Sequence, residues 1–257
     1  MSGPHTWLSI AINHKNTGMK MNKIKSVLVL LTLSAGCLMA CKKDKAAEPV
    51  QEPDFVQVSP QIKKYKNGTV EVTKLPMPDL KDPSSRGFFN FDKMAFVDAG
   101  KVKTKEWDIV FESLYAATVF PNNGTTEEDF PWFGNTAKVQ FSGIVKPFDE
   151  VTALPDNFVF PTGKSNLSTA EFDNDESRKN TIYWGFMALD VDGGFSHFQA
   201  WKGKVFIWKL DDGRLVKFEL SNVYNNAPEA NNSKSVPGYL SFRYFVGKPG
   251  SRDLKTN

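Results

Sequence analysis

Cysteine and histidine are nearly absent from this chain. Its 257 residues include two Cys, at 37 and 41, and three His, at 5, 14 and 197. Past residue 41 only His197 remains, which excludes a multi-histidine zinc site. A Ser-His-Asp triad would have to use His197, and no GxSxG elbow accompanies it. HExxH, CxxC, Walker and GxGxxG patterns are missing as well. The acidic pairs Glu127-Glu128 and Asp211-Asp212 sit in turn-like contexts and read as solvated loop charges rather than a glycosidase pair. With no catalytic set, the expectation is a binding protein and not an enzyme. Charge of one sign is also lacking: 32 Lys plus Arg stand against 29 Asp plus Glu. Four of those lysines, at 15, 20, 23 and 25, lie in the first 40 residues, which hold no acid. The remainder carries no basic stripe of the kind that nucleic acid requires.

The N-terminal region has an ordered pattern. Lys20, Lys23 and Lys25 precede an apolar run from Val27 to Leu33, followed by Leu38-Met39-Ala40-Cys41. This is the sequence of a secretory signal, and a cysteine directly after the small residue is its lipoprotein form. Cys41 is the expected lipidated residue. Cys37 is the rival, but Ser34 stands three residues before it, where Cys41 has Leu38. The apolar run is too short for a spanning helix, which needs about 20 residues. Residues 1–18 fit no targeting pattern, so translation is expected to start at Met19 or Met21. The division expected is a mis-assigned start over 1–18, a signal peptide over 19–40, a polar tether over 41–60, a β domain over 61–247 and a flexible tail over 248–257. Acyl chains on Cys41 would anchor the tether stably in a membrane. Lys42 follows the cysteine, so the Asp retention cue is missing. This points to an outer-membrane lipoprotein, surface-exposed or facing the periplasm.

Beyond Thr69 the pattern alternates with period two. Val70, Val72 and Leu75 follow the Asn67-Gly68 turn, and Phe88, Phe89 and Phe91 follow Gly87. Trp107, Ile109 and Phe111 alternate with Asp108, Val110 and Glu112. Val139 and Phe141, Ile182 to Leu189, and Val205 to Trp208 are further strand candidates. Asp212-Gly213 then introduces Val216, Phe218 and Leu220, a strong hairpin signal. Leu240, Phe242 and Tyr244 form a last strand with one face for a core and one for solvent. With 13% aromatic residues, 21 of them Phe, the chain suits pleated surfaces. The expected fold class is all-β, a multi-stranded antiparallel sandwich or curled sheet with short helices at most, one of them around Ser168 to Phe172.

The hairpin Asp212 to Leu220, the link Tyr224-Asn225-Asn226 and the strand Gly238-Tyr239-Leu240-Ser241-Phe242-Arg243-Tyr244 resemble the C-terminal end of the HmuY family. Glu106-Trp107-Asp108-Ile109-Val110-Phe111 resembles the Trp-Asp strand of that family, and the lipobox at Cys41 agrees with it. The resemblance spans roughly 85 to 246 and is carried mainly by hydrophobic framework. Members of the family are haem-binding lipoproteins of Gram-negative bacteria. The resemblance therefore implies an HmuY-like β fold, haem held by two axial His or Met side chains, a part in haem and iron acquisition, and delivery to an outer-membrane haem receptor.

On the family pattern one ligand falls at Met187, in Tyr183-Trp184-Gly185-Phe186-Met187. A thioether is an acceptable haem ligand. A core methionine is the plainer reading. The second ligand should come from about Thr152 to Asn180, which contains neither His nor Met. His197 across the Asp192-Gly193-Gly194 turn is the nearest substitute, with Met94 and Met77 farther off. A single-ligand site, or none, stays open. Trp184, Phe186, Phe198 and Trp201 are candidate walls for a porphyrin. Lys202 and Arg243 are candidate partners for its propionates. The alternative is a surface lipoprotein of the same fold that does not bind haem and recognises a protein or a glycan.

Overall fold

The computed structural model describes residues 54–256, apart from 83, 113–115, 125–127, 162–165, 167, 171–182 and 228. The expected signal peptide, the start at Met19 or Met21 and Cys41 lie outside the described residues. Among the described residues no helix is long and apolar enough to cross a membrane.

The described residues form fourteen strands: β1 (Phe55–Ser59), β2 (Ile62–Tyr65), β3 (Thr69–Pro76), β4 (Gly87–Asn90), β5 (Ala95–Val97), β6 (Ile109–Glu112), β7 (Thr118–Pro121), β8 (Gln140–Ile144), β9 (Ser168–Ala170), β10 (Tyr183–Leu189), β11 (Phe195–Ala200), β12 (Val205–Lys209), β13 (Leu215–Tyr224) and β14 (Pro237–Val246). Among the described residues helical structure is confined to two single 3₁₀ turns, Ala99–Lys101 and Phe148–Glu150. The all-β expectation is met.

A seven-stranded antiparallel sheet runs in the order β1-β2-β3-β14-β13-β12-β8, and a four-stranded sheet in the order β5-β4-β6-β7. They face each other as a sandwich because period-two alternation gives each sheet one apolar face. Val72, Phe218 and Phe242 of the larger sheet meet Phe89 and Phe111 of the smaller one. The Phe242 ring lies 5.3 Å from Phe89 and 5.4 Å from Phe111. A second cluster, with Phe148, Val151, Ile207 and Leu254, covers part of the opposite face of the large sheet. A third, of Phe88, Trp107, Val110 and Trp132, covers the back of the small one. The apparent half-exposed alternation of β6 is therefore buried on both faces.

Three boundaries need correction. The expected tether to residue 60 overlaps β1, which pairs with β2 in the register Phe55↔Tyr65. The Phe55 ring rests 5.7 Å from Tyr65. β1 is an edge strand in which Val56 and Val58 stay exposed. The expected flexible tail is docked: Leu254 is wholly buried, its N–H donates to Thr152 O at 2.8 Å, and Leu154 N–H donates to Arg252 O at 2.9 Å. One apolar side chain and a short backbone bridge, Ala153↔Asp253, hold it. The expected helix near Ser168 is instead a strand over its described part. β9 runs parallel to β10, so the sheet it joins is mixed.

Candidate functional site

The third sheet, in the order β11-β10-β9, contains the candidate ligands. Its core is the β10–β11 hairpin, closed by Asp190, whose Oδ1 accepts from Asp192 N–H at 3.0 Å and Gly194 N–H at 2.8 Å. Gly193 takes φ +80 there, a conformation that favours glycine. Leu189 and Val191 are exposed at the tip. Gly185 is also required, because a Cβ on it would stand 2.2 Å from the Gln199 carbonyl oxygen.

The root of the hairpin is tied to the sandwich. Trp184 is buried in the main core and donates its indole N–H to Ala117 O at 2.7 Å. It is a structural anchor and not a wall open to a ligand, so the expectation for Trp184 is corrected: its large apolar surface was absorbed by the core. Phe198 N–H donates to the Tyr224 hydroxyl at 2.8 Å, and Phe198 O accepts from Asn231 Nδ2 at 3.3 Å. Tyr224, one of the residues that carry the family resemblance, thus acts as a strut under β11.

Register decides how the ligand candidates relate. Met187 pairs with Phe198, and Ala188 with His197. Directly opposed residues share a face and successive residues alternate. Met187 and Phe198 therefore occupy one face of the hairpin, and His197, Ala188, Phe186 and Gln199 the other. Met187 is half-buried and packs against the main core, as Met94 does, while Met77 is inside it. These methionines serve as packing. The His197 face is more open. His197 is half-buried, with Ser196 Oγ 3.0 Å from Nδ1 and Gln199 Oε1 3.4 Å from Nε2. Phe186, on the same face, lies 4.6 Å from the Trp201 ring.

Two axial ligands must face each other across one iron. Met187 and His197 point apart, so the pair does not fit a bis-ligated haem. His197 alone is left for a single-ligand site: with the proton on Nδ1 toward Ser196 Oγ, Nε2 would meet a metal in place of its contact with Gln199 Oε1.

The remaining candidates have other roles. Arg243 pairs with Glu219 at 2.6 Å and Asp149 at 3.3 Å, and its guanidinium lies 4.3 Å from the Phe148 ring centre. These contacts belong to the outer face of the large sheet rather than to the hairpin. Lys202 is exposed and lines a surface cleft. Asp211 pairs with Lys105 at 2.8 Å, and Asp212 with Arg214 at 2.6 Å, which accounts for that acidic pair. Glu127 lies outside the described residues. Among the described residues no group of three or more His, Cys, Asp or Glu is arranged to hold a metal ion.

Neighbouring Ser196 and His197 were visible as a dipeptide, but nothing in the sequence indicated which ring nitrogen the hydroxyl would meet. A cleft over β13 and β14, described below, had no sequence signal.

No family model and no curated protein matches the chain. Among solved structures, it is similar to a protein from Bacteroides vulgatus ATCC 8482 named as HmuY-like and heme binding, with 16% identity over 76% of this chain and 97% of the other and a TM-score of 0.39. It is also similar to a protein from Bacteroides fragilis NCTC 9343 named as a lipoprotein, with 13% identity over 70% and 90% and a TM-score of 0.37. A third is the apo HmuY analog of Tannerella forsythia, with 14% identity over 70% and 97% and a TM-score of 0.34. At these scores the likeness neither establishes a common fold nor transfers a ligand to this chain.

Proposed function

We propose that this protein is a lipid-anchored, haem-binding protein of the bacterial cell envelope rather than an enzyme, and that His197 is the side chain that meets the iron. The lipobox ending at Cys41 supports the anchor. The sequence resemblance to the HmuY family supports haem as the ligand, a part in haem acquisition and an outer-membrane receptor as the partner. The observation that carries the site is the arrangement on one hairpin face: His197 with Ser196 Oγ at Nδ1, beside the half-buried Phe186. An imidazole oriented by a hydrogen bond at one nitrogen offers the other to a metal. Haem bound there would supply the iron centre, and His197 would supply a nitrogen ligand and Phe186 an apolar wall.

The test is a haem titration of the mature protein by absorbance, oxidised and reduced, beside His197→Ala and Met187→Ala. Saturable binding that His197→Ala abolishes and Met187→Ala retains is the expected result. Loss in Met187→Ala alone would move the site to the other face of the hairpin.

A second reading, a surface module that does not bind haem, draws on the divergence of Met187 and His197, which removes the two-ligand site that the family resemblance implies. No saturable spectrum with any variant would favour it.

A further inference from the structure

We propose that the outer face of the large sheet carries a binding groove for a short neutral saccharide, centred on Ser221. Three adjacent central strands lose register side by side at this place. Ser221 is an extra residue in β13, between Leu220↔Phe242 and Asn222↔Ser241. Across β14, Ser241 stands against two residues of β3, Thr73 and Lys74, between Leu240↔Leu75 and Phe242↔Val72. Lys74 has φ +53, a strained conformation for a residue with a Cβ. Ser241 stitches the irregularities together: its Oγ accepts from Lys74 N–H at 3.0 Å, and its carbonyl accepts from the Ser221 hydroxyl at 2.8 Å. Bulges re-aim side chains and gather beside functional sites, and backbone strain held in the middle of a sheet marks the same kind of place.

The irregularities open onto two clefts of about 280 and 270 Å³, which meet along Glu219, Ser221 and Asn222. Each is close to the lower end of the size range of small-ligand sites. Glu71, Thr73 and Arg243 continue the first cleft, and Lys202, Glu229 and Asn231 the second. The ion pair of Arg243 with Glu219 and the hydrogen bond from Tyr65 Oη to Glu71 at 2.8 Å hold these groups in place. Three carboxylates against two cations leave no strong excess of either sign, so the groove suits neither a phosphate nor a polycation. What it offers is a dense mixture of fixed donors and acceptors. A sugar hydroxyl both donates and accepts, as Ser and Thr hydroxyls do, and matches such a mixture. The half-buried Ala200 gives the C–H face of a sugar ring a small apolar place to rest. The groove uses none of His197, Met187 or Phe186, and its second cleft reaches the His197 side only at Gln199 and Trp201.

The experiment is an amide-shift titration of the ¹⁵N-labelled mature protein with maltotetraose, cellotetraose and mannotetraose in turn, at up to about 10 mM, tenfold above a millimolar dissociation constant. The variants are Ser221→Trp, which fills the junction from an exposed position, and Glu229→Ala, at the rim. The expected result is a saturable response to at least one sugar at the amides of residues 219–222 and 241. Ser221→Trp should weaken it at least about tenfold and Glu229→Ala about threefold, with unfolding temperatures close to that of the parent. No saturable response to any of the three sugars overturns the proposal. So does a response that spares those amides, or undiminished binding by a folded Ser221→Trp protein. Should Ser221→Trp not fold, undiminished binding by Glu229→Ala overturns it.

Discussion

Met187 and His197 lie within two cross-strand pairs of the same hairpin, yet their side chains leave it on opposite faces: Met187 stands against Phe198, and His197 against Ala188. The thioether is turned toward the sandwich core, and the imidazole toward the side that carries Phe186 and Gln199. Substituting the two residues should therefore have different consequences. Met187→Ala is expected to cost about 1–2 kcal/mol of stability, less than a fully buried methionine, and to leave ligand binding at His197 intact. Urea unfolding beside a haem titration checks both.

The closeness of β10 and β11 at Gly185 gives a second expectation. A methyl group there meets the Gln199 carbonyl at 2.2 Å, and backbone cannot yield as a flexible side chain does. Gly185→Ala should destabilise the protein by about 1–3 kcal/mol. Amide exchange should speed up in β10 and β11 more than in β13 and β14.

Lys217 sits on the outer face of the large sheet, wholly buried, with Nζ donating to Val151 O at 3.0 Å and Thr256 Oγ1 at 3.1 Å, 4.2 Å from the Phe148 ring centre. Burial lowers its pKa from 10.5 to about 8, against a partly offsetting attraction from Asp149. Between about pH 8 and 10 the unfolded chain holds a proton that the folded chain has released. Stability should therefore rise with pH across that window. Lys204, lowered to about 8 by burial, acts with the same sign. Tyr65 and Tyr244, both raised above the ordinary tyrosine value of 10.0, act with the opposite sign above it. Lys217→Met is expected to remove roughly half of the rise. Denaturant midpoints at pH 7.5 to 10 measure it.

Asp108 follows the reverse logic. Burial raises its pKa from 3.8 to about 6, although Phe91 N–H donates to Oδ2 at 2.8 Å and Arg214 is near. Between those values the folded protein holds a proton that the unfolded chain has lost. This contribution is fully present below about pH 4 and lost as pH rises through 6. Asp108→Asn can keep the bond from Phe91 without a buried charge. It should flatten stability between pH 4 and 6 and raise it at pH 7 by up to about 3 kcal/mol.

The docking of the C-terminal segment rests on Leu254, which has no exposed surface and packs with Phe148, Val151 and Leu215. Leu254→Ala should cost about 2–4 kcal/mol. Trypsin should then cut after Arg252 in the variant well before it cuts the parent.

By itself the sequence determined the class of fold and most of its strands. Alternation at Val216-Phe218-Leu220 and Leu240-Phe242-Tyr244 specifies which face is apolar, and turn residues such as Asp212-Gly213 specify where the chain reverses. Both are local properties that a short window contains. The pairing of distant segments was not legible. The segment around Leu254 is a short, largely polar stretch whose order comes from Val151 to Leu154, far back in the chain. Which face of β10 carries Met187 toward the core depends on the β10–β11 register, so the divergence of Met187 and His197 was decided only in three dimensions. The groove at Ser221 is likewise tertiary. An extra residue in a strand has no meaning until the neighbouring strand supplies the register that it breaks.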